Sequence, residues 1–134
     1  MESHIGHIQI NVSDKNKSFP FYKELLTQLG YRSVHEEEHV LGMGNGKESI
    51  WFDQVADKYQ QAKFHRKQTG INHLAFWVSK KEDVDEIVNN FVKARGLATL
   101  YGSPKEFPEY MPGYYAVFFE DPDRIKIEIV YHPV

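Results

Sequence analysis

The sequence contains no cysteine, no long hydrophobic run and no excess of basic residues. Without cysteine there can be no disulfide, thiolate metal site or cysteine nucleophile, so a transition metal would have to be held by histidine and carboxylates. The longest strongly apolar stretches, such as residues 74–78, are far shorter than the ~20 residues that a membrane-spanning helix needs. A net charge of −3 gives no basic stripe for nucleic acid. These absences predict a small-molecule partner, with neither nucleic acid nor a membrane.

The composition is typical of one ordinary folded domain. The chain has 134 residues, of which 41% are hydrophobic and 26% are charged. A chain of this length buries roughly two-thirds of its unfolded surface, which is enough for a real core. The N-terminal stretch MESHIGHIQI has no basic segment followed by a long apolar one. We therefore expect a single cytoplasmic domain over residues 1–134.

One short pattern occurs twice, as HIGHIQINVSDK near the start and as GINHLAFWVSKK past the middle. Aligning His7 with His73 sets an offset that also places Gly30 on Gly96. Between these marks each half holds a strand of alternating polarity and then an amphipathic helix that stops at the glycine. The pattern therefore predicts a structural repeat.

Each half predicts a βαβββ module in an α+β fold. The first helix is expected over residues 18–29, with Pro20 in its first turn, and the second carries an apolar stripe from Val84 to Phe91. Further strands are expected at residues 31–36, 39–43 and 48–53, and at 97–102, 114–120 and 124–131. We expect the two tandem modules to form a curved mixed sheet around a central cavity, with the helices outside.

The modules are expected to be separated by a polar connection and to include one long loop. Module 1 covers about residues 4–53, the connection 54–69, with room for a helical turn, and module 2 about 70–132. Residues 102–113, GSPKEFPEYMPG, contain three prolines and are predicted to lack regular structure. Long loops in compact domains are often functional.

Strand alternation predicts which side chains face the cavity. The aliphatic faces have to cover the helices, so the opposite faces point away from them. On the last strand, isoleucines alternate with Lys126, Glu128 and Val130, which places these three on the cavity side. Lys126 is either a substrate anchor or the exposed edge of the strand, and the second interpretation is favoured. The first strands of the two modules contribute His7, Gln9, Asn11, His73 and Trp77.

Two histidines and one glutamate form a candidate metal site. Glu128 stands in the middle of an otherwise apolar strand, where a carboxylate is costly unless it is paired or binds a metal. His7 and His73 occupy equivalent places in the two repeats. Together the three side chains suit Fe, Mn, Ni, Co or Zn as the divalent metal ion, with positions left open for substrate. The alternative is that the histidines are ordinary surface residues and that Glu128 pairs with a lysine or arginine.

Two segments carry a resemblance to a known family. The stretch Asn72-His73-Leu74-Ala75-Phe76 and the C-terminal PGYYAVFFEDPDRIKIEIVYHP resemble the vicinal oxygen chelate superfamily, which includes glyoxalase I, fosfomycin resistance proteins, bleomycin-binding proteins and extradiol dioxygenases. The resemblance covers about residues 4–132 and implies metal ligands at His7, His73 and Glu128. It also implies a homodimer.

The chain departs from the family pattern at two positions. Trp51 stands nearest the place of the family's remaining metal ligand, which disfavours an ordinary glyoxalase I. Arg124 stands where the family usually has glycine after Asp-Pro-Asp, so it either accepts a strained backbone or forms another type of turn. Asp121 and Asp123 are predicted to form that turn rather than to act in catalysis.

The predicted cavity has an aromatic lining with a few polar groups, as small-molecule sites generally do. Glu128 and Tyr115 are the catalytic candidates, although it stays open whether Tyr114 or Tyr115 faces the cavity. The expected lining is Gln9, Asn11, Trp51, Trp77, Tyr110 and Tyr114, with Phe107 and Met111 available from the loop.

Two functions are compatible with these residues. The first is a divalent-metal-dependent lyase, isomerase, dioxygenase or transferase that acts on a small oxygenated substrate. The second is a metal-free protein of the bleomycin-resistance type that binds and sequesters a drug or metabolite. Retention of all three ligand types favours the enzyme.

Overall fold

A computed structural model describes residues 1–133 of the chain. The chain divides into two compact units, one formed by residues 1–63 and one beginning at Phe64. Each unit contains one βαβββ module, which confirms the predicted α+β repeat. The expectation of a single domain stays a prediction. No helix within residues 1–133 is long and apolar enough to span a membrane.

The first unit has four strands and one α-helix. Its sheet has the order β1-β4-β3-β2, with β1 parallel to β4 and the other pairs antiparallel. A short 3-10 turn at Asp57–Tyr59 follows, as the sequence allowed for the connection. The elements are β1 (His7–Val12), α1 (Lys15–Gln28), β2 (Arg32–Glu36), β3 (Val40–Gly44) and β4 (Ser49–Gln54).

The second unit repeats this arrangement. Its sheet has the order β5-β8-β7-β6, with β5 parallel to β8. The elements are β5 (His73–Trp77), α2 (Lys81–Ile87), which continues as a π-helical segment at Val88–Lys93, and then β6 (Thr99–Glu106), β7 (Tyr115–Glu120) and β8 (Lys126–Tyr131).

Helix α1 begins three residues earlier than the sequence predicted. Asp14 caps it, since its carboxylate accepts a hydrogen bond of 2.9 Å from the backbone N–H of Asn16. Pro20 therefore lies inside the helix rather than in its first turn. One side of this helix is buried, as expected of an amphipathic helix, and Tyr22 stacks on Phe52 of β4 with 4.0 Å between ring centroids.

The prediction for residues 102–113 was wrong in its first half. Strand β6 continues through Gly102 and Pro104 to Glu106, and its pairing with β7 is interrupted between Leu100 and Lys105. This irregularity lets an edge strand accommodate a proline. The buried Ser103 hydroxyl bridges the gap, since it donates to the carbonyl of Leu100 (2.6 Å) and accepts from the N–H of Phe118 (2.9 Å).

The second unit has apolar groups on both faces of its sheet. The α2 stripe, which includes Val84 and Phe91, is buried on the helix face, as predicted. A separate cluster is formed by Phe107, Ala116, Phe118 and Val130, with Leu100 and Tyr114 packed against it. Because Ala116 pairs with Val130, and Phe118 with Glu128, across β7 and β8, this cluster shares its face with Glu128.

Candidate functional site

His73 and Glu128 lie side by side on neighbouring parallel strands. His73 opens β5, and Glu128 lies in the middle of β8, directly opposite Ala75. The imidazole Nε2 is 3.2 Å from the carboxylate Oε2. The Glu128 side chain is only 3% exposed, whereas that of His73 is 37% exposed. The pair therefore joins a buried carboxylate to an imidazole that solvent reaches.

Asn72 fixes the orientation and tautomer of this imidazole. Its Oδ1 lies 2.8 Å from Nδ1 of His73, and its Nδ2 donates to the backbone carbonyl of Arg66 at 3.3 Å. Because Nδ2 is held by that carbonyl, the acceptor oxygen is the atom that faces the ring, so Nδ1 carries the proton. The Nε2 atom of a neutral His73 then presents its lone pair to Glu128.

Tyr114 donates a hydrogen bond from its hydroxyl to Oε1 of Glu128. Burial is the larger cause, and this hydrogen bond the second, of a pKa of Tyr114 well above its ordinary value. The phenol therefore stays protonated and acts as a donor. Glu128 thus has a different partner at each carboxylate oxygen.

Tyr115 lies on the opposite face of β7. Its hydroxyl donates to Oδ1 of Asp85 on α2 at 2.6 Å. Burial, as the larger cause, and this hydrogen bond raise the pKa of Tyr115 to about 12. The question that alternation left open is thereby answered, since Tyr114 lies beside Glu128 and Tyr115 faces the helix. The tyrosine hydroxyl next to Glu128 is therefore that of Tyr114, and the catalytic role expected for Tyr115 stays a prediction.

A cleft of about 360 Å³ opens over this group of side chains. Its volume is near the lower end of the range for small-molecule sites. Aromatic rings supply most of the walls, and Lys126 supplies a positive charge. The lining residues are His73, Tyr101, Tyr110, Tyr114, Phe118, Lys126 and Glu128. Lys126 is therefore part of the cleft, contrary to the favoured interpretation of it as an exposed strand edge.

The remaining residues predicted in module 2 lie outside this cleft. Trp77 is 73% exposed, and its ring meets that of His132 edge to face at 4.4 Å. Met111 is also exposed. Phe107 is buried in the apolar cluster, where its ring stacks on Tyr110.

In the first unit, Trp51 occupies the position equivalent to Glu128. Trp51 is opposite Gln9 on β1, as Glu128 is opposite Ala75 on β5. The indole N–H donates to the Ser49 hydroxyl at 2.9 Å, and the ring covers Gly42, where a Cβ would approach it to 2.9 Å. In the register of the strands, the residue of the first unit equivalent to Glu128 is therefore a tryptophan and not a carboxylate.

The polar residues predicted on β1 are all exposed. Gln9 donates from Nε2 to Asp53, and Asn11 lies two residues further along the same face. His7 opens the strand. Within residues 1–133, no group of three or more His, Asp or Glu side chains is arranged to hold a metal ion. The role of His7 as a third ligand stays a prediction.

Sequence reasoning missed the roles of Asn72, Tyr101 and Phe118. Asn72 belongs to the stretch that carried the family resemblance, so its position beside a candidate ligand was the available signal. Phe118 could have been found by pairing β7 with β8. Tyr101 gave no signal, because its place in the cleft depends on a positive φ of 59° in the irregular part of β6.

Comparison with known proteins gives a family match and close structural relatives. The model of the Glyoxalase/Bleomycin resistance protein/Dioxygenase superfamily matches residues 4–129. The Bacillus subtilis (strain 168) protein YqjT is 34% identical over 124 residues, which are 92% of this chain and 95% of that protein. A crystal structure of a candidate glyoxalase from Bacillus halodurans has a TM-score of 0.87 and 41% identity, covering 96% of this chain and 95% of that one.

More distant structures share the fold. The fosfomycin resistance protein FosX from Mesorhizobium loti has a TM-score of 0.69 at 18% identity, covering 100% of this chain and 96% of that one. At this identity the likeness is one of fold alone.

Proposed function

The chain belongs to the Glyoxalase/Bleomycin resistance protein/Dioxygenase superfamily, and from this premise we propose that it is a divalent-metal-dependent enzyme acting on a small oxygenated substrate. His73 and Glu128 are two of the proposed ligands, and His7 is the third. The metal is one of Fe, Mn, Ni, Co or Zn, since imidazole nitrogen with carboxylate oxygen suits these ions.

The observation that carries this proposal is the direct approach of two hydrogen-bond acceptors. Asn72 holds the proton of His73 on Nδ1, so Nε2 and the Glu128 carboxylate both present lone pairs to each other at 3.2 Å. Such an arrangement is stabilised by a cation between the two groups, which is a metal ion in this proposal and a proton in the alternative below. Two ligands about 2.1 Å from one ion lie roughly 3.0 Å apart in an octahedral site and roughly 3.4 Å apart in a tetrahedral one. The observed distance fits both.

A metal held there would act as a Lewis acid and polarise a carbonyl or bind a pair of oxygens of the substrate. Asn72 keeps the His73 ring oriented, as the partners of ligating histidines generally do. Tyr114 holds Glu128 through Oε1 and leaves Oε2 free to bind the ion. Tyr114 also lines the cleft, and because its one proton is given to Glu128, its hydroxyl oxygen can accept a hydrogen bond from a bound substrate.

The proposed ligand set disfavours an ordinary glyoxalase I. Such an enzyme would need a further protein ligand at the position of Trp51, whose indole is held by Ser49. Three protein ligands leave more open positions on the ion, which suits an isomerase, lyase, dioxygenase or transferase that binds two substrate oxygens.

A metal-free binding protein is the second candidate function. The aromatic walls of the cleft favour it, because they would bind an apolar drug or metabolite without any chemistry. His73 and Glu128 would then share a proton instead of a metal ion. We also expect a homodimer in the cytoplasm, which light scattering and cell fractionation would test.

Metal titration calorimetry of protein purified without an affinity tag tests the enzyme proposal. We expect stoichiometric binding of at least one of the ions named above, and loss of this binding in His73→Ala and in Glu128→Gln. His7→Ala should weaken it. His35→Ala is a matched control, because His35 Nε2 lies 3.1 Å from Glu37 but both side chains are exposed.

Absence of stoichiometric binding in the unaltered protein would favour the metal-free alternative. Equal binding in the unaltered protein and in His73→Ala would remove His73 and Glu128 as the ligands. Unchanged affinity in His7→Ala would remove only the third ligand.

A further inference from the structure

We propose that the cleft of the second unit binds a planar aromatic carboxylate, with Lys126 as the anchor for its charged group. The inference deepens the proposed function, on which it rests for the end of the ligand that lies at His73 and Glu128. The anchor at the other end rests on independent observations.

The ammonium of Lys126 has a hydroxyl as its partner, and not a carboxylate from among residues 1–133. Its cross-strand partner is Glu120, but that carboxylate is engaged by Arg66 through Oε1 (3.3 Å) and by Arg124 through Oε2 (2.9 Å). Within the described part of the chain, no carboxylate forms an ion pair with the Lys126 ammonium. Its hydrogen-bond partner is the hydroxyl of Tyr101 at 3.3 Å. A partly buried ammonium in a cleft therefore lacks an anion.

The surroundings of this ammonium are aromatic. Its Nζ lies 5.3 Å from the ring centroid of Tyr101 and 5.7 Å from that of Phe118. These cation–π contacts hold the charge at the wall of the cleft. Tyr110 adds a further exposed ring, fixed by stacking on Phe107 with a centroid separation of 5.5 Å. Flat ring faces of this kind favour a flat, unsaturated ligand over a saturated one.

The backbone of Tyr101 supports the same conclusion. Its φ of 59° lies in the left-handed region, which an aromatic residue rarely adopts. Strained residues persist where the surrounding structure fixes them, and they cluster at ligand sites. In this protein the strained residue places its ring in the cleft and its hydroxyl on Lys126.

The spacing along β8 sets the length of the ligand. Lys126 and Glu128 share one face of the strand and are two residues apart, which is about 7 Å between Cα atoms. The ligand therefore carries its anionic group at one end and its reacting oxygen at the other, with a ring between them. A cleft of about 360 Å³ has room for one or two rings.

Binding of 4-hydroxybenzoate, measured by calorimetry and by NMR, tests this inference. Methyl 4-hydroxybenzoate keeps the aromatic ring but removes the charge, and 4-hydroxycyclohexanecarboxylate keeps the charge and the hydroxyl but replaces the aromatic ring with a saturated one. We expect each to bind at least about tenfold more weakly than 4-hydroxybenzoate, because each lacks one of the two recognised features.

Variants of Lys126 identify the anchor. Lys126→Met should weaken 4-hydroxybenzoate binding at least about tenfold, and Lys126→Arg should restore most of it. Lys105→Met is the matched control, since Lys105 also lies over an aromatic ring, that of Phe107 at 5.0 Å, but does not line the cleft. The Lys105→Met variant should bind 4-hydroxybenzoate with unchanged affinity.

Failure to bind 4-hydroxybenzoate, equal binding of the methyl ester, or unaltered affinity in Lys126→Met would each overturn the inference. Every titration is run with the metal ion and again with a chelator. Metal binding at His73 without binding of the acid leaves the proposed function standing and refutes the inference. If the acid binds in a way that depends on Lys126 but no metal ion binds, the inference stands and the proposed metal-dependent function is refuted.

Discussion

Two adjacent tyrosines, Tyr114 just before β7 and Tyr115 at its start, allow the site to be tested separately from the rest of the fold. Each hydroxyl donates to one carboxylate, Tyr114 to Glu128 and Tyr115 to Asp85. Replacing either with phenylalanine removes one hydrogen bond and leaves the ring in place. If Glu128 is a metal ligand, only Tyr114→Phe should change the affinity for metal.

The expected magnitudes follow from the burial of the two carboxylates. Glu128 is 3% exposed, so loss of a hydrogen bond to it should lower the free energy of unfolding by about 2 kcal/mol. Asp85 is partly exposed, so loss of the hydrogen bond from Tyr115 to it should lower the free energy of unfolding by about 1 kcal/mol. Residues that orient a metal ligand typically contribute about 10- to 100-fold in affinity, and we expect a loss in this range for Tyr114→Phe.

Urea unfolding of the metal-free proteins and metal titration calorimetry measure the two effects separately. Tyr115→Phe should keep the metal affinity within about twofold of the unaltered protein, because Asp85 lies on the helix side of the sheet. Equal losses of affinity in both variants, or full affinity in Tyr114→Phe, would refute the placement of Glu128 in a metal site.

Two further predictions concern the turn before β8 and the first unit. Arg124 has a φ of 67°, so Arg124→Gly should be more stable than Arg124→Ala by about 0.5–1 kcal/mol, as measured by urea unfolding. Burial, followed by the hydrogen bond to Glu48, raises the pKa of Tyr31 to about 12 from 10. The folded state then keeps a proton that the unfolded chain releases, so this stabilisation is complete below pH 10 and is lost between pH 10 and about 12.

Controls accompany both predictions. Both Arg124 variants lack the exposed ion pair with Glu120, so their difference reports the backbone alone; equal stability would contradict the strain. For the first unit, unfolding of the unaltered protein and of Tyr31→Phe is measured from pH 9 to 11.5. Their difference in stability should shrink as the pH rises. A difference that stays constant would show that Tyr31 does not hold its proton.

Local sequence patterns predicted most of the fold, because side-chain alternation and helical stripes depend only on neighbours along the chain. The alternation on β1 and the stripe on α2 are both found in the burial pattern. The Asp-Pro-Asp turn is also confirmed, since Asp121 Oδ1 accepts hydrogen bonds of 2.8 Å from the N–H groups of Asp123 and Ile125. Arg124 accepts the positive φ rather than changing the turn.

The errors came where contacts between distant residues overrule local preference. Gly102 and Pro104 are ordinary loop signals, yet β6 passes through them because the Ser103 hydroxyl bonds to β7. Alternation along β7 could not by itself choose between Tyr114 and Tyr115, because both faces of this strand are apolar. The face of Tyr114 is assigned by the pairing of Phe118 with Glu128, which is a contact between distant residues.

The sequence by itself determined the repeat, and with it the asymmetry between Glu128 and Trp51. Strand pairing preserves the offset between the repeats, so the two residues occupy equivalent positions in their sheets. Only the tertiary structure decided how the charges in the second unit are paired. Arg66 reaches Glu120 across 54 positions of the chain. Because Glu120 bonds to arginine, it forms no ion pair with its cross-strand neighbour Lys126, whose ammonium stays available in the cleft. Local patterns assign a side chain to one face of a strand. The charged partner of that side chain depends on residues that are distant in sequence and come close only when the chain folds.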